Sequence, residues 1–264
     1  MPVLHLGEQL DIHFIDDNPT GKPAVLLIHG LGVTGESWGF QLPALISAGY
    51  RAVAPDLRGH GNSGYLGSEN CIDELAADMA ALLDHLEIPA AHIIGISLGG
   101  AVAIQLAIDY PQLVDKLVLV NTFAHLRPRN LPAWLFYLAR GTLIGMLGIT
   151  AQGKLVGNHM FPGDDLDWLR QRYLEQLRRS NPIAYRSTVR AILQFNVYHR
   201  LSEIRTSTLV LTGELDDTVP LDVQQQLVER IPNARQVIVP GGRHAMTVVQ
   251  TEFINRHILD FLAG

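Results

Sequence analysis

Six short apolar runs constrain this 264-residue chain more than any other feature: residues 24–30 (AVLLIHG), 51–57 (RAVAPDL), 92–97 (HIIGIS), 116–122 (KLVLVNT), 208–214 (TLVLTGE) and 235–241 (RQVIVPG). Each is apolar at consecutive positions and not at alternate ones, which is the pattern of a strand covered on both faces. Helical periodicity fills most of the intervals, at Ser37 to Ala48, Cys71 to Leu86, Leu98 to Tyr110 and Leu221 to Arg230, and again at Met246 to Phe261. Strand and helix in alternation predict an α/β fold with a mostly parallel sheet and right-handed crossovers. The first fifteen residues read as a hairpin turning at Gly7-Glu8. With 47% hydrophobic residues, a chain of this length can bury a sizeable core.

One interval breaks the alternation. Between Thr122 and Thr208 there is no convincing strand, only helix-like pieces punctuated by Pro128, Pro132, Pro162 and Pro182. A structureless loop of that length inside a compact domain is improbable, so residues 123–200 are expected to form a helical insertion. The core is then 1–122 with 201–264. The insertion would lie over the carboxyl ends of the strands, where open α/β sheets bind ligands.

Charge and cysteine content exclude several classes of function. The net charge of -6 and the lack of any basic run argue against a nucleic-acid partner. Cys71 is the only cysteine, so there is no CxxC redox pair, no cysteine-based zinc site and no intramolecular disulfide. The N-terminus lacks the basic start and apolar core of a signal peptide. The most apolar later stretch, Trp134 to Ile149, contains Arg140 and is too short to span a bilayer. A cytoplasmic protein with no membrane span is expected, with monomer and homo-oligomer both open. The few lysines (Lys22, Lys116, Lys154) beside many arginines fit a GC-rich genome or heat adaptation equally.

The chemistry points to "GISLGG", residues 95–100, where Ser97 stands between Gly95 and Gly99 at the junction of a predicted strand and a predicted helix. A nucleophile at such a junction takes a strained backbone conformation, and side chains two residues to either side would collide with the neighbouring strand or helix. The helix beginning at Leu98 would aim its N-terminal amides at charge developing beside Ser97. A serine hydroxyl needs a base, and a histidine base needs an acid to hold its tautomer. "LTGELDDTVP" offers Asp216 or Asp217 after one predicted strand, and "VPGGRHAMTV" offers His244 in a Gly-rich loop after the last. His92, His199 and His257 read as surface or packing residues.

Taken together, "HGLG" (29–32), "DLRGHGNS" (56–63), "GISLGG" (95–100), "GELDDTVP" (213–220) and "GGRH" (241–244) make the chain resemble the α/β-hydrolase superfamily, in its small lid-bearing form. That group includes carboxylesterases, enol-lactonases and C–C bond hydrolases. The resemblance spans nearly the whole chain and implies an eight-stranded, mostly parallel sheet flanked by helices, with a helical cap inserted after the sixth strand. It also implies a Ser97–His244–Asp216 triad, with Asp217 as a turn or capping carboxylate. The backbone N–H groups of Leu31 and Leu98 would form the oxyanion hole. His29 and the loop holding Asp56, Arg58 and His60 would be structural. No metal or organic cofactor is called for.

Serine at the elbow separates the chain from relatives that place aspartate there, such as haloalkane dehalogenases and epoxide hydrolases. It implies an acyl-enzyme, with cofactor-free perhydrolysis as a side activity of the same machinery. In the insertion Trp134, Leu135, Phe136, Leu138, Leu143, Met146, Leu147, Phe161 and Trp168 supply apolar surface for an apolar acyl group. Trp38, Phe123 and Trp134 are the expected pocket walls, and Arg127 and Arg129 are candidates to meet a substrate carboxylate. The leading expectation is a hydrolase of small to medium apolar esters. The alternatives are an enol-lactonase or C–C hydrolase of aromatic degradation and a noncatalytic ligand receptor on the same fold.

Overall fold

Along each central strand, neighbouring residues enter opposite faces of the sheet, and both faces are dry. Leu26 and Ile28 pack into one buried cluster while Val25 and Leu27 pack into another. Ile93 and Ile94 divide in the same way, as do Leu117 and Leu119 from Val118 and Val120. This is why the apolar runs are continuous. The computed structural model describes residues 1–7, 10–67, 70–126 and 148–264.

Eight strands form one sheet: β1 (Val3–Leu6), β2 (Leu10–Asp17), β3 (Ala24–Ile28), β4 (Arg51–Pro55), β5 (Ala91–Ile96), β6 (Val114–Val120), β7 (Thr208–Gly213) and β8 (Ala234–Val239). Their spatial order is β1-β2-β4-β3-β5-β6-β7-β8. β1 pairs with β2, and β2 with β4, in antiparallel fashion; every other pairing is parallel. The expected N-terminal hairpin is β1 and β2, with Leu6 opposite Leu10.

Helices α2 (Ile72–His85), α3 (Leu98–Asp109) and α7 (Leu221–Arg230) cover one face of the sheet, and α1 (Leu42–Ser47) and α9 (Thr251–Ala263) cover the other. The predicted helix at Ser37 divides into a 3-10 turn, Gly35–Phe40, followed by α1. The one at Met246 divides at Gln250 into α8 (Met246–Val249) and α9. Cys71 has a local role at the start of α2, where its sulfur accepts from the amide of Glu74 at 3.4 Å. Every residue of α3 from Leu98 to Ile108 is buried, and its last residue, Asp109, is exposed.

The interval between β6 and β7 holds helical residues 148–160 (α4), then α5 (Asp167–Arg178) and α6 (Pro182–Gln194). Asn181 caps α6, its side-chain oxygen accepting from the amides of Ile183 (2.9 Å) and Ala184 (3.2 Å), with Pro182 in the first turn. The two ends of the interval are clamped together. His125 bridges Asn196 in antiparallel fashion, and the amide of Val197 donates to the carbonyl of Ala124 at 3.0 Å. Phe161, Tyr173, Leu177 and Tyr185 of this interval form an apolar cluster with Ala245, against which Leu31 and Val33 of the loop after β3 also pack. Among the described residues no helix is long and apolar enough to cross a membrane.

Candidate active site

The carboxyl ends of β3, β5, β6, β7 and β8 bring the residues singled out in the sequence to one edge of the sheet. Ser97 follows β5 directly and has φ 53° and ψ −116°, a conformation that an L-residue holds only at a cost of about 1–3 kcal/mol. The glycines explain how it fits. A β-carbon on Gly95 would strike the carbonyl of Gly99, and one on Gly99 would strike the carbonyls of Ile28 and His29. A third glycine is equally constrained, because a β-carbon on Gly100 would overlap the side chain of Thr122. Gly30 lies over the elbow, its β-carbon position 3.8 Å from the β-carbon of Ser97. This places the loop that begins at Leu31 beside Ser97 and the start of α3, whose first residue Leu98 is fully buried.

Asp216 and His244 are paired. His244 Nδ1 lies 2.9 Å from Asp216 Oδ2, and both residues are buried. The other carboxylate oxygen, Oδ1, accepts from the amides of Thr218 (2.9 Å) and Val219 (3.0 Å), so the carboxylate is fixed in orientation from both sides. With Nδ1–H donated to Asp216, Nε2 of the neutral imidazole carries the free lone pair and can act as a base. The two adjacent aspartates sit differently. Asp217 is half exposed and pairs with His159 of α4 at 2.8 Å.

The expected structural groups are enclosed beneath this edge. His29 accepts the amide of Leu57 at Nε2 (2.9 Å) and donates from Nδ1 to the carbonyl of Gly30 (2.7 Å). Burial lowers its pKa to about 4. His60, its ring 5.3 Å from that of His29, is lowered to about 3, mainly by burial and then by His29. Asp56 accepts from the amides of Gly35 (2.9 Å) and Asn62 (3.0 Å), and Arg58 forms two 2.7 Å bonds with Asp78. This loop also seats the insertion, since Gly59 accepts from the amide of Asn181 at 2.9 Å.

Of the expected pocket walls, Trp38 is 1% exposed in the cluster on the α1 and α9 face. Phe123, also 1% exposed, meets Phe195 edge-on at 6.4 Å in the opposite cluster. The structure does not bring these two together. Trp134, Arg127 and Arg129 lie outside the described residues, as do Leu135, Phe136, Leu138, Leu143, Met146 and Leu147.

Asn121 was not singled out from the sequence, yet it joins the pieces. It is fully buried with φ 44°, directly after β6. Its side-chain nitrogen donates to the carbonyls of Arg243 (3.0 Å) and His244 (3.1 Å), and its oxygen accepts from the amide of Gly213 (2.8 Å). Its neighbours hold the elbow: the Ser97 amide donates to Val120 O at 3.0 Å, and Thr122 Oγ1 donates to Ser97 O at 2.6 Å. The available signal was a polar residue ending an apolar run at the carboxyl end of the strand beside the elbow. No metal-binding cluster of His, Cys, Asp or Glu occurs among the described residues.

Comparison with known proteins agrees with the fold. Residues 23–248 match the family model described as alpha/beta hydrolase fold. The chain is 32% identical over 259 residues to a putative carbamate hydrolase RutD of Caulobacter sp. (strain K31), covering 96% of this chain and 95% of that one. It is 28% identical over 266 residues to 3-oxoadipate enol-lactonase 2 of Acinetobacter baylyi, covering 98% and 97%. The crystal structure of a hydrolase from Pseudomonas aeruginosa PA01 superposes with a TM-score of 0.90 at 26% identity, covering 100% of this chain and 98% of that one.

Proposed function

The chain belongs to the alpha/beta hydrolase fold family, and on that premise we propose that it is a serine hydrolase acting on carboxylic esters through an acyl-enzyme. The observation that carries this reading is the buried Asp216–His244 pair, tied through Asn121 and its neighbours to the strained elbow at Ser97. Ser97 Oγ attacks the substrate carbonyl carbon while His244 Nε2 takes its proton. The oxyanion that forms is held by the amides of Leu31 and Leu98, the latter at the positive end of α3. The tetrahedral intermediate collapses, His244 returns the proton to the departing alcohol, and the acyl group stays on Ser97. Water then attacks the acyl carbon, giving its proton to His244, and the acid leaves with Ser97 restored.

In this reading residues 123–200 form a cap domain on the core of 1–122 and 201–264. The neck at His125 and Asn196 marks its base, and the apolar cluster of Phe161, Tyr173, Leu177 and Tyr185 favours an apolar acyl group. A second reading comes from the relatives: the same nucleophile and oxyanion site would open a carbamate or an enol-lactone, as the names of the two matched relatives say of those proteins. The experiment is an initial-rate series on p-nitrophenyl esters from acetate to a long acyl chain, with an alkyl carbamate and an enol-lactone measured in parallel, for wild type and Ser97→Ala. Turnover of short to medium esters that disappears in the variant supports the ester reading. Turnover confined to the carbamate or the lactone replaces it.

A further inference from the structure

The loop that begins at Leu31 is held from two directions. On the core side, the amide of Gly35 donates to Asp56 at 2.9 Å. On the other side Thr34 and Glu36 are held by side chains from the carboxyl end of α5 and the residue that follows it, more than 140 positions away in the chain. The amide of Thr34 donates to Gln176 Oε1 at 3.0 Å, and the Thr34 hydroxyl lies 3.4 Å from the same oxygen. Arg179 grips Glu36 with two bonds of 2.9 and 2.6 Å and reaches the Thr34 hydroxyl at 3.4 Å. Between Leu31 and Thr34, Gly32 turns at φ +77°, where an added β-carbon would lie 2.8 Å from Leu177 and 3.0 Å from Tyr185. The insertion is thus packed on the turn as well as bonded to it.

These contacts are unequal. Arg179 and Glu36 are both more than one-third exposed, so water and salt screen them and their pairing holds the loop weakly. Gln176 and Thr34 are buried, at 4% and 1% exposure, so neither can exchange its bond for one with water. If Gln176 is lost, the Thr34 amide is left without an acceptor, and the loop must shift to find one.

We infer that Gln176 is a positioning residue: through Thr34 it fixes the turn that carries the Leu31 amide, so that docking of α5 sets the geometry of the oxyanion site. The inference rests on the reading of Ser97 as nucleophile and Leu31 as an oxyanion donor. It assigns to the insertion a part in the chemical step, in addition to enclosing the substrate. Donors that are misplaced by a fraction of an ångström weaken the transition state far more than the ground state.

The test compares wild type, Gln176→Ala and Gln176→Glu with a p-nitrophenyl ester that the wild type hydrolyses. Rates are taken per folded protein, and inhibition is measured with a trifluoromethyl ketone, which forms a tetrahedral adduct, and with the product acid, which does not. Gln176→Ala should lower kcat by about 10- to 100-fold with little change in KM. It should weaken the ketone by a similar factor and leave the product acid unaffected. Gln176→Glu keeps the acceptor for Thr34 and should recover most of the loss. A purely structural residue would lower the melting temperature of the alanine variant while kcat and ketone affinity per folded molecule stayed at wild-type values, and that result overturns the inference. If the alanine variant does not fold, Gln176→Glu decides alone, because a well-folded glutamate variant with the full defect also overturns it. Activity surviving Ser97→Ala would instead remove the underlying reading of the site.

Discussion

Acid should unfold this protein through two histidines that the proposed chemistry does not use. His29 is fully buried with Nε2 accepting the Leu57 amide, so protonating that nitrogen would set one N–H against another. His60 is fully buried beside it, donates from Nδ1 to Arg58 O at 3.2 Å, and has its Nε2 enclosed without a partner. With folded pKa values of about 4 and about 3 against an ordinary 6.5, both stay neutral in the native state while the unfolded chain takes up two protons. Stability is therefore complete above pH 6.5 and falls as pH drops below it. Each histidine removes about 1.4 kcal/mol per pH unit, so by pH 4.5 the pair removes about 5 kcal/mol, a large part of the total for most domains. The carboxylate of Glu36, held low first by its bonds to Arg179, adds to the loss only once pH passes below its ordinary 4.5. Urea unfolding at pH 7.5, 6.5, 5.5 and 4.5 measures the slope. His60→Asn keeps a side-chain donor for Arg58 O and removes one titrating ring, so it should roughly halve the slope between pH 6 and 4.5. A slope equal to that of the wild type would refute the assignment of the loss to these buried rings.

Three further outcomes are expected. Asp216→Asn should lower kcat on any ester substrate by roughly four orders of magnitude, since the imidazole loses the partner that sets its tautomer; Asp217→Asn, which breaks only the exposed pair with His159, should stay within about twofold of wild type. Equal losses in the two variants would reverse the choice of acid. Gly99→Ala should cost about 3 kcal/mol or more and lower the melting temperature by about 6–12 °C, because the added methyl meets backbone carbonyls that cannot move aside; a wild-type melt would contradict the packing at the elbow. Arg58→Met should destabilise by about 3–5 kcal/mol by stranding the Asp78 carboxylate, and adding Asp78→Leu should restore most of it. Simple additivity of those two substitutions in chemical denaturation would show that they do not act as a pair.

The sheet could be read from the sequence because its strands are buried on both sides, and a run such as Val25 to Ile28 has few other uses in a chain of this composition. The elbow could be read because the backbone geometry at Ser97 excludes side chains at neighbouring positions, and that exclusion is written as glycine. Asp216 and Asp217 show where local reading stops. Both follow β7 with equal chemistry, and only the fold turns one toward His244 and the other toward His159. Trp38 shows the same limit from the other side: an aromatic residue just past a strand end can line a pocket or complete the core, and here it packs with Leu42, Leu45 and Ile258 in the core. Asn121 and Gln176 were missed because their partners are 92 and 142 positions away, and nothing in a short polar stretch records so distant an acceptor or donor.

Those two residues also explain how the separate parts of the proposed mechanism would hold their geometry. Each strand of a parallel sheet ends in its own loop, and the ladder hydrogen bonds that align the strands stop where the loops begin. Beyond that line the order is carried by isolated bonds, such as the one from the Leu215 amide to Gly242 O (2.8 Å) between the loops after β7 and β8. Residues 120–122 extend the order past the sheet: Val120 and Thr122 hold Ser97, and Asn121 between them holds Gly213 and the carbonyl of His244. Asn121 needs a left-handed backbone to reach both ways, a conformation that asparagine tolerates better than most residues with a side chain. The loop after β3 lies outside this clamp, and its polar anchors are Asp56 of the core and Gln176 of the insertion. On the proposed reading the acid, base and nucleophile are tied to one another by bonds within the core, with Asp217 and Ala245 beside them also meeting the insertion, while the oxyanion site is held by core and insertion together. Substitutions that reshape the insertion can then alter the rate of the chemical step without disturbing the Asp216–His244 pair.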